Sequence, residues 1–271
     1  MKKHTIALSK YTAAYTMIGE GIPVILLHGF FGDGWTLEPI MKQLQDNYCC
    51  LGLDLLGFGD SSKPKIKYLV DNQVEFLQEF INAQNIQKFY LLGYSYGAWV
   101  AAAYAIAKAK EGKVNDNLQG MVLLAPAGIR DDSFVGRYDH LKPLLWETRL
   151  VDLALNFISP FAALLGKDKE LNTILQFRAA IIKQPVAKSL LMDRLRPEDA
   201  VDTVEKDIHQ ITIPTLVIAA EEDKTIPLWH SQTYAENIPQ AHLEIVPGAD
   251  HDLMQTHDKE VANLIKKYWQ S

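Results

Sequence analysis

Gly93-Tyr94-Ser95-Tyr96-Gly97 places a serine between two glycines, directly after the apolar run Phe89-Tyr90-Leu91-Leu92 and directly before an Ala-rich stretch. A strand that turns sharply into a helix at a serine raises the hydroxyl at the strand's carboxyl end. The flanking glycines remove side chains that would crowd so tight a turn. A serine hydroxyl attacks a carbonyl carbon only when a base takes its proton, so the arrangement calls for a histidine, oriented by a carboxylate, farther along the chain. For these five residues alone, an ordinary glycine-rich turn with an incidental serine is the plainer alternative.

Both partners occur in the expected order. Asp223 lies in Ala219-Ala220-Glu221-Glu222-Asp223-Lys224-Thr225-Ile226-Pro227, just past the apolar run Thr215 to Ala219. His251 lies in Pro247-Gly248-Ala249-Asp250-His251-Asp252, just past His242 to Val246. Glu221 and Glu222 share the acid loop and compete for the role, although the expected carboxylate sits deeper in the loop. Asp250 and Asp252 flank the histidine too closely to hold its far ring nitrogen easily. The loop after the preceding run, Ala125-Pro126-Ala127-Gly128, offers no carboxylate before Asp131. His4, His140, His209, His230, His242 and His257 fall away from strand carboxyl ends and read as surface or core residues.

Acyl transfer also needs donors aimed at a developing oxyanion. After the run Val24 to Leu27 comes His28-Gly29-Phe30-Phe31-Gly32-Asp33, a glycine turn at a strand's carboxyl end. The usual pair of donors is the amide following the nucleophile and one from such a loop, here the backbone N–H groups of Tyr96 and Phe30. The Phe30 ring then reads as a wall of the substrate pocket, with Trp146 a second substrate-binding candidate. His28 reads as shaping the turn rather than moving protons.

These residues need a scaffold that brings strand ends to one edge. Strand-length apolar runs recur at Thr5 to Leu8, Ala13 to Met17, Val24 to Leu27, Cys49 to Leu53, Phe89 to Leu92, Met121 to Leu124, Thr215 to Ala219 and His242 to Val246. Helical spacing recurs at Leu37 to Gln45, Val70 to Gln84, Tyr96 to Lys108, Leu228 to Asn237 and Asp258 to Trp269. The alternation predicts an α/β fold with a mostly parallel, eight-stranded, doubly wound sheet, whose sites lie beyond the strand carboxyl ends. The opening two strands read as an antiparallel hairpin. From Asp131 to Lys206 no strand is convincing and apolar residues recur at helical spacing, so residues 131–206 are expected to form an inserted helical cap, with 1–130 and 207–271 as the core. Its near-balanced charge and its aromatic groups Phe134, Tyr138, Trp146, Phe157, Phe161 and Phe177 suggest a roof over the site.

The chain of 271 residues is 48% hydrophobic and 22% charged, with a net charge of −6. Such a profile excludes disordered and low-complexity classes and gives no basic surface for nucleic acid. The charge-free stretch Phe89 to Ala107 is long enough to span a bilayer, but Gly93 and Gly97 break it into strand, turn and helix, so no membrane span is expected. Cys49 and Cys50 are adjacent and alternate across a strand, which disfavours a structural disulfide. No spacing suits a metal site. The basic start, Met1-Lys2-Lys3-His4, reaches Lys10 before a hydrophobic region of signal length forms, so a reduced, cytoplasmic location is expected.

His28-Gly29-Phe30, the loop Asp54-Leu55-Leu56-Gly57-Phe58-Gly59-Asp60-Ser61-Ser62-Lys63-Pro64, the Ser95 turn, Asp223 and His251 resemble the α/β-hydrolase family in order and approximate spacing. The resemblance covers about Ile22 to Arg130 and Ile211 to Trp269. It implies that fold, a triad of Ser95, Asp223 and His251, and a structural role for the Asp54 loop. Serine rather than aspartate at the nucleophile position speaks against the haloalkane dehalogenase and epoxide hydrolase branches, and Tyr96 and Ala98 depart from the commonest Met-Gly-Gly ending of the turn. The expected activity is hydrolysis of a small or medium, largely apolar ester, thioester or related acyl compound through an acyl-Ser95 intermediate, without cofactor or metal. Alternatives on the same triad are carbon–carbon bond hydrolysis of a dienoate-type diketone and cofactor-free perhydrolysis. A small-molecule receptor with little turnover and a lipid-surface enzyme using Leu150 to Gly166 are alternatives of other classes.

Overall fold

Runs such as Ile-Pro-Val-Ile-Leu-Leu and Thr-Leu-Val-Ile-Ala-Ala have no polar face, and such strands are stable only with helices over both sides of the sheet. The computed structural model describes residues 1–112, 117–131, 149–164, 166–182, 184–186, 189 and 202–270. It contains two compact units, one of Met1–Ser62, Leu69–Arg130 and Asp202–Ser271, the other of Lys63–Tyr68 and Asp131–Val201.

The first unit holds an eight-stranded sheet. Its strands are β1 (Lys2–Ala7), β2 (Thr12–Ile18), β3 (Ile22–Leu27), β4 (Tyr48–Leu53), β5 (Phe89–Tyr94), β6 (Leu118–Leu124), β7 (Thr215–Ala220) and β8 (Ala241–Val246). They lie in the order β1-β2-β4-β3-β5-β6-β7-β8. From β4 onward the neighbours pair in parallel. β1 and β2 form the expected antiparallel hairpin. That hairpin is not a separate feature, because β2 also pairs antiparallel with β4 and so extends the same sheet.

Helices α1 (Glu38–Leu44), α2 (Val70–Ala83) and α3 (Tyr96–Lys110) fall between the strands. On one face Leu37, Ile40, Met41 and Leu44, in and before α1, pack with Val24, Leu26, Cys50, Leu92, Val122 and Leu216 of the sheet. On the other, α3 lies against β3, β5 and β6 and against α2. The Ala-rich composition of α3 suits this place, since Gly97, Ala98, Ala101, Ala102 and Ala105 are all among its buried residues. No described helix is long and apolar enough to cross a membrane.

The second unit contains α4 (Arg149–Leu164) and α5 (Asp168–Ile182), which contact each other. Tyr68 anchors the short segment of this unit, its hydroxyl donating to the Pro64 carbonyl at 2.7 Å and its N–H to Ser189 Oγ at 3.2 Å. Trp146, Phe134 and Tyr138 lie outside the described residues. Within the first unit, the ends of the chain that flank the insertion are tied together. Val204 N–H donates to the Gly128 carbonyl at 2.9 Å, and Trp99 Nε1 of α3 donates to the Asp202 carbonyl at 3.1 Å. Helices α6 (Leu228–Asn237), α7 (Leu253–Thr256) and α8 (Asp258–Gln270) complete this unit.

Candidate active site

Ser95 sits between β5 and α3 with φ 53 and ψ −114, a left-handed conformation that non-glycine residues rarely take. Its surroundings determine this conformation. Ser95 N–H donates to the Leu124 carbonyl at 2.9 Å, and its own carbonyl accepts from Ala98, Trp99 and Ala127 at 3.0, 3.2 and 3.2 Å. The two glycines are required sterically. A Cβ at Gly93 would stand 2.5 Å from Ala98 Cα, and one at Gly97 would stand 2.6 Å from the Leu27 carbonyl carbon and 2.7 Å from the His28 oxygen. The helix therefore starts close against β3 and β5, and Ser95 remains 6% exposed.

His251 Nε2 lies 3.0 Å from Ser95 Oγ, and its Nδ1 lies 2.7 Å from Asp223 Oδ2. A carboxylate only accepts, so Nδ1 carries the proton facing Asp223 and Nε2 is left to accept from the serine hydroxyl. Asp223 is nearly enclosed, with 2% of its side chain exposed. Its other oxygen accepts from the N–H groups of Thr225 and Ile226, both at 2.8 Å. These bonds fix the carboxylate's rotation and leave Oδ2 aimed at the imidazole.

The rival carboxylates do different work. Glu221 accepts from Gly248 N–H at 2.9 Å and so ties the loop after β7 to the loop after β8. Asp250 Oδ1 accepts from the N–H groups of His251 at 2.7 Å and Lys224 at 3.1 Å. Those two amides hold its carboxyl below the ordinary carboxylate range. Glu222 is exposed. None of them reaches the imidazole Nδ1, whose partner is Asp223.

The loop after β3 turns at Gly29, where Gly32 N–H donates to the Gly29 carbonyl at 3.0 Å and Phe31 has φ 65. This turn adjoins the serine, for a Cβ at Gly29 would lie 3.3 Å from Ser95 Cβ. Phe30 and Tyr96, whose amides are the two candidate oxyanion donors, have ring centroids 5.9 Å apart and nearly perpendicular planes. Phe58 packs on both at 6.0 Å. Tyr96 is the first residue of α3, where backbone N–H groups point out of the helix end.

His28 is fully buried and does not face the serine. Its Nδ1 lies 2.8 Å from the Gly29 carbonyl, and its Nε2 accepts from Leu55 N–H at 3.0 Å. Both ring nitrogens are thus used within loops, and burial lowers its pKa below the ordinary value. Asp54, also buried, accepts from Gly34 and Asp60 N–H groups at 2.6 and 2.8 Å. Together these residues brace the loops after β3 and β4. Two features escaped sequence reasoning. Gln73 bonds both ways to the Leu56 backbone, at 3.0 and 2.9 Å, and Tyr94 donates its hydroxyl to the His251 carbonyl at 2.7 Å. Each joins residues on different elements, and no local spacing announces it. Among the described residues no group of three or more His, Cys, Asp or Glu side chains is arranged to hold a metal ion.

The family model described as alpha/beta hydrolase fold matches residues 22–258. The chain is 26% identical over 258 residues to 2-hydroxy-6-oxo-6-(2'-aminophenyl)hexa-2,4-dienoic acid hydrolase of Metapseudomonas resinovorans, covering 92% of this chain and 84% of that protein. It is 27% identical over 257 residues to lipase 3 of Moraxella sp., covering 92% and 77%. Among solved structures, a meta-cleavage product hydrolase from Pseudomonas fluorescens IP01 superposes with a TM-score of 0.73 at 22% identity, covering 98% of this chain and 97% of that one.

Proposed function

The chain belongs to the α/β-hydrolase fold family, and from that premise we propose that it is a serine hydrolase acting on a small or medium, largely apolar ester, thioester or related acyl compound. The observation that carries this reading is the continuous relay from Ser95 Oγ through His251 to Asp223, at 3.0 and 2.7 Å. In the proposed reaction Ser95 Oγ attacks the substrate carbonyl as its proton passes to His251 Nε2. Asp223 holds the resulting imidazolium in place, and the N–H groups of Phe30 and Tyr96 meet the oxyanion. The tetrahedral species collapses as His251 gives its proton to the leaving group. Water, deprotonated by His251, then releases the acyl group from Ser95.

A second reading, hydrolysis of a carbon–carbon bond in a dienoate-type diketone on the same three residues, is favoured by the likeness to the dienoic acid hydrolase of M. resinovorans. A panel of chromogenic esters, thioesters and diketones separates the two by relative kcat/KM. In either case Ser95→Ala is expected to abolish turnover and fluorophosphonate labelling together while the circular dichroism spectrum is unchanged. Labelling that persists on the alanine variant contradicts the reading, and a labelled enzyme that turns over none of the panel points to a receptor instead.

A further inference from the structure

His251 stands on the loop between β8 and α7, and loops of this kind move more than the strands they join. Both polar groups of its backbone are nevertheless held by side chains. Its N–H donates to Asp250 Oδ1 at 2.7 Å, and its carbonyl accepts from the Tyr94 hydroxyl at 2.7 Å. The first bond stays within the loop. The second reaches across the sheet edge to the last residue of β5, the residue immediately before Ser95.

We propose that Tyr94 is a positioning residue that fixes the distance between His251 and Ser95 by tying the histidine backbone to the strand that carries the serine. The inference rests on the reading of Ser95, Asp223 and His251 as the relay. Three observations support it. The Tyr94 ring lies against the imidazole, with centroids 5.3 Å apart and planes at 32°, so it limits the swing of the histidine side chain as well as its backbone. Burial, aided by the negative charge of Asp223, raises the phenol's pKa well above its ordinary value, so the hydroxyl remains a donor throughout the pH range of an assay. Space for the ring is reserved by Gly29, because a Cβ there would approach Tyr94 Cδ1 and Cε1 to 3.0 Å. The serine, its base and the oxyanion turn therefore meet at one side chain that takes no part in bond making.

A group acting in this way changes the reactive step more than substrate binding. Tyr94→Phe removes only the hydroxyl. With rates expressed per site titrated by fluorophosphonate, so that any unfolded fraction drops out, Tyr94→Phe is expected to lower kcat on a chromogenic ester about tenfold, the worth of one hydrogen bond, with KM little changed. Labelling at saturating probe should slow by the same factor. Tyr94→Leu, which also removes the ring, should be slower still. A Tyr94→Phe enzyme with parental kcat, or one whose loss lies entirely in KM, overturns the assignment. Ser95→Ala, measured in parallel, separates the two levels of inference. If it loses turnover and labelling while Tyr94→Phe is unaffected, only the role of Tyr94 fails, whereas turnover by Ser95→Ala removes the relay on which that role depends.

Discussion

Asp223 and Glu221 are two residues apart in one loop, yet their oxygens meet different partners. Asp223 bonds to two amides and the imidazole, whereas Glu221 bonds to the Gly248 amide. Asp223→Asn would keep the shape of the site but present an amide that can donate to Nδ1, favouring the wrong imidazole tautomer. Its kcat is expected to fall by about three to four orders of magnitude. Glu221→Gln keeps an acceptor for Gly248 and should stay within about threefold of the parent. A Glu221→Gln enzyme as impaired as Asp223→Asn would show the acid to be misassigned. His28 makes a different prediction, one about stability. Its folded pKa lies below the unfolded value near 6.5, because burial penalises the charged ring. Below about pH 6.5 the unfolded chain binds the extra proton, so stability is fully present above that pH and falls as pH drops toward the folded pKa. Urea unfolding at about pH 7.5 and about pH 5.5 should show this loss, and His28→Asn, although less stable at both, should show a shallower slope. An unchanged slope would remove His28 from the account.

At the scale of elements, the turn from β5 into α3 depends on what is missing at Gly93 and Gly97. Gly97→Ala sets a methyl against the backbone of Leu27 and His28, which cannot rotate away as a side chain could. Overpacking of this kind costs about 1–3 kcal/mol, and the damage should appear in both the unfolding midpoint and the labelling rate of Ser95. Gly112, where a Cβ would meet nothing within 4 Å but φ is +66, is the control, expected to affect stability modestly and labelling not at all. The meeting of Ser95, His251 and Asp223 was legible in the sequence because each lies just past a run of strand length, and parallel strands bring all such ends to one edge. The pairing of β2 with β4 was not legible, since an antiparallel neighbour is chosen by register across distant strands and leaves no local signal. The bond of Glu221 to Gly248 was hidden for the same reason, as it depends on β7 and β8 lying side by side, and that of Tyr94 to His251 because it joins the ends of β5 and β8, which are not neighbours in the sheet.

Across the whole molecule, the long interval after β6 is the part least accounted for by the relay. In its described residues, Leu150, Leu153, Phe157, Ile158 and Phe161 of α4 recur at helical spacing, and Phe157 and Phe161 are 74% and 56% exposed, with ring centroids 6.0 Å apart. The helical spacing of these apolar residues in the sequence predicts a helix here, and Arg149–Leu164 is one. Ala127, three residues past the end of β6, donates its N–H to the Ser95 carbonyl, so the stretch that leads out of β6 is bonded to the turn that carries the serine. We therefore propose that residues 131–206 select among substrates rather than build the reactive centre. Phe157→Ala and Phe161→Ala remove exposed rings and should alter the unfolding free energy by no more than about 0.5 kcal/mol. If the segment selects substrates, these variants and Trp146→Ala should change the ranking of an acyl-chain series, by about 1–3 kcal/mol in relative kcat/KM for a ring that makes a well-filled contact. The rate of fluorophosphonate labelling, which reports the relay itself, should stay near the parental value. A uniform loss across all substrates and the probe would place the segment in the reactive machinery, and an unchanged ranking in all three variants would deny it a part in selection.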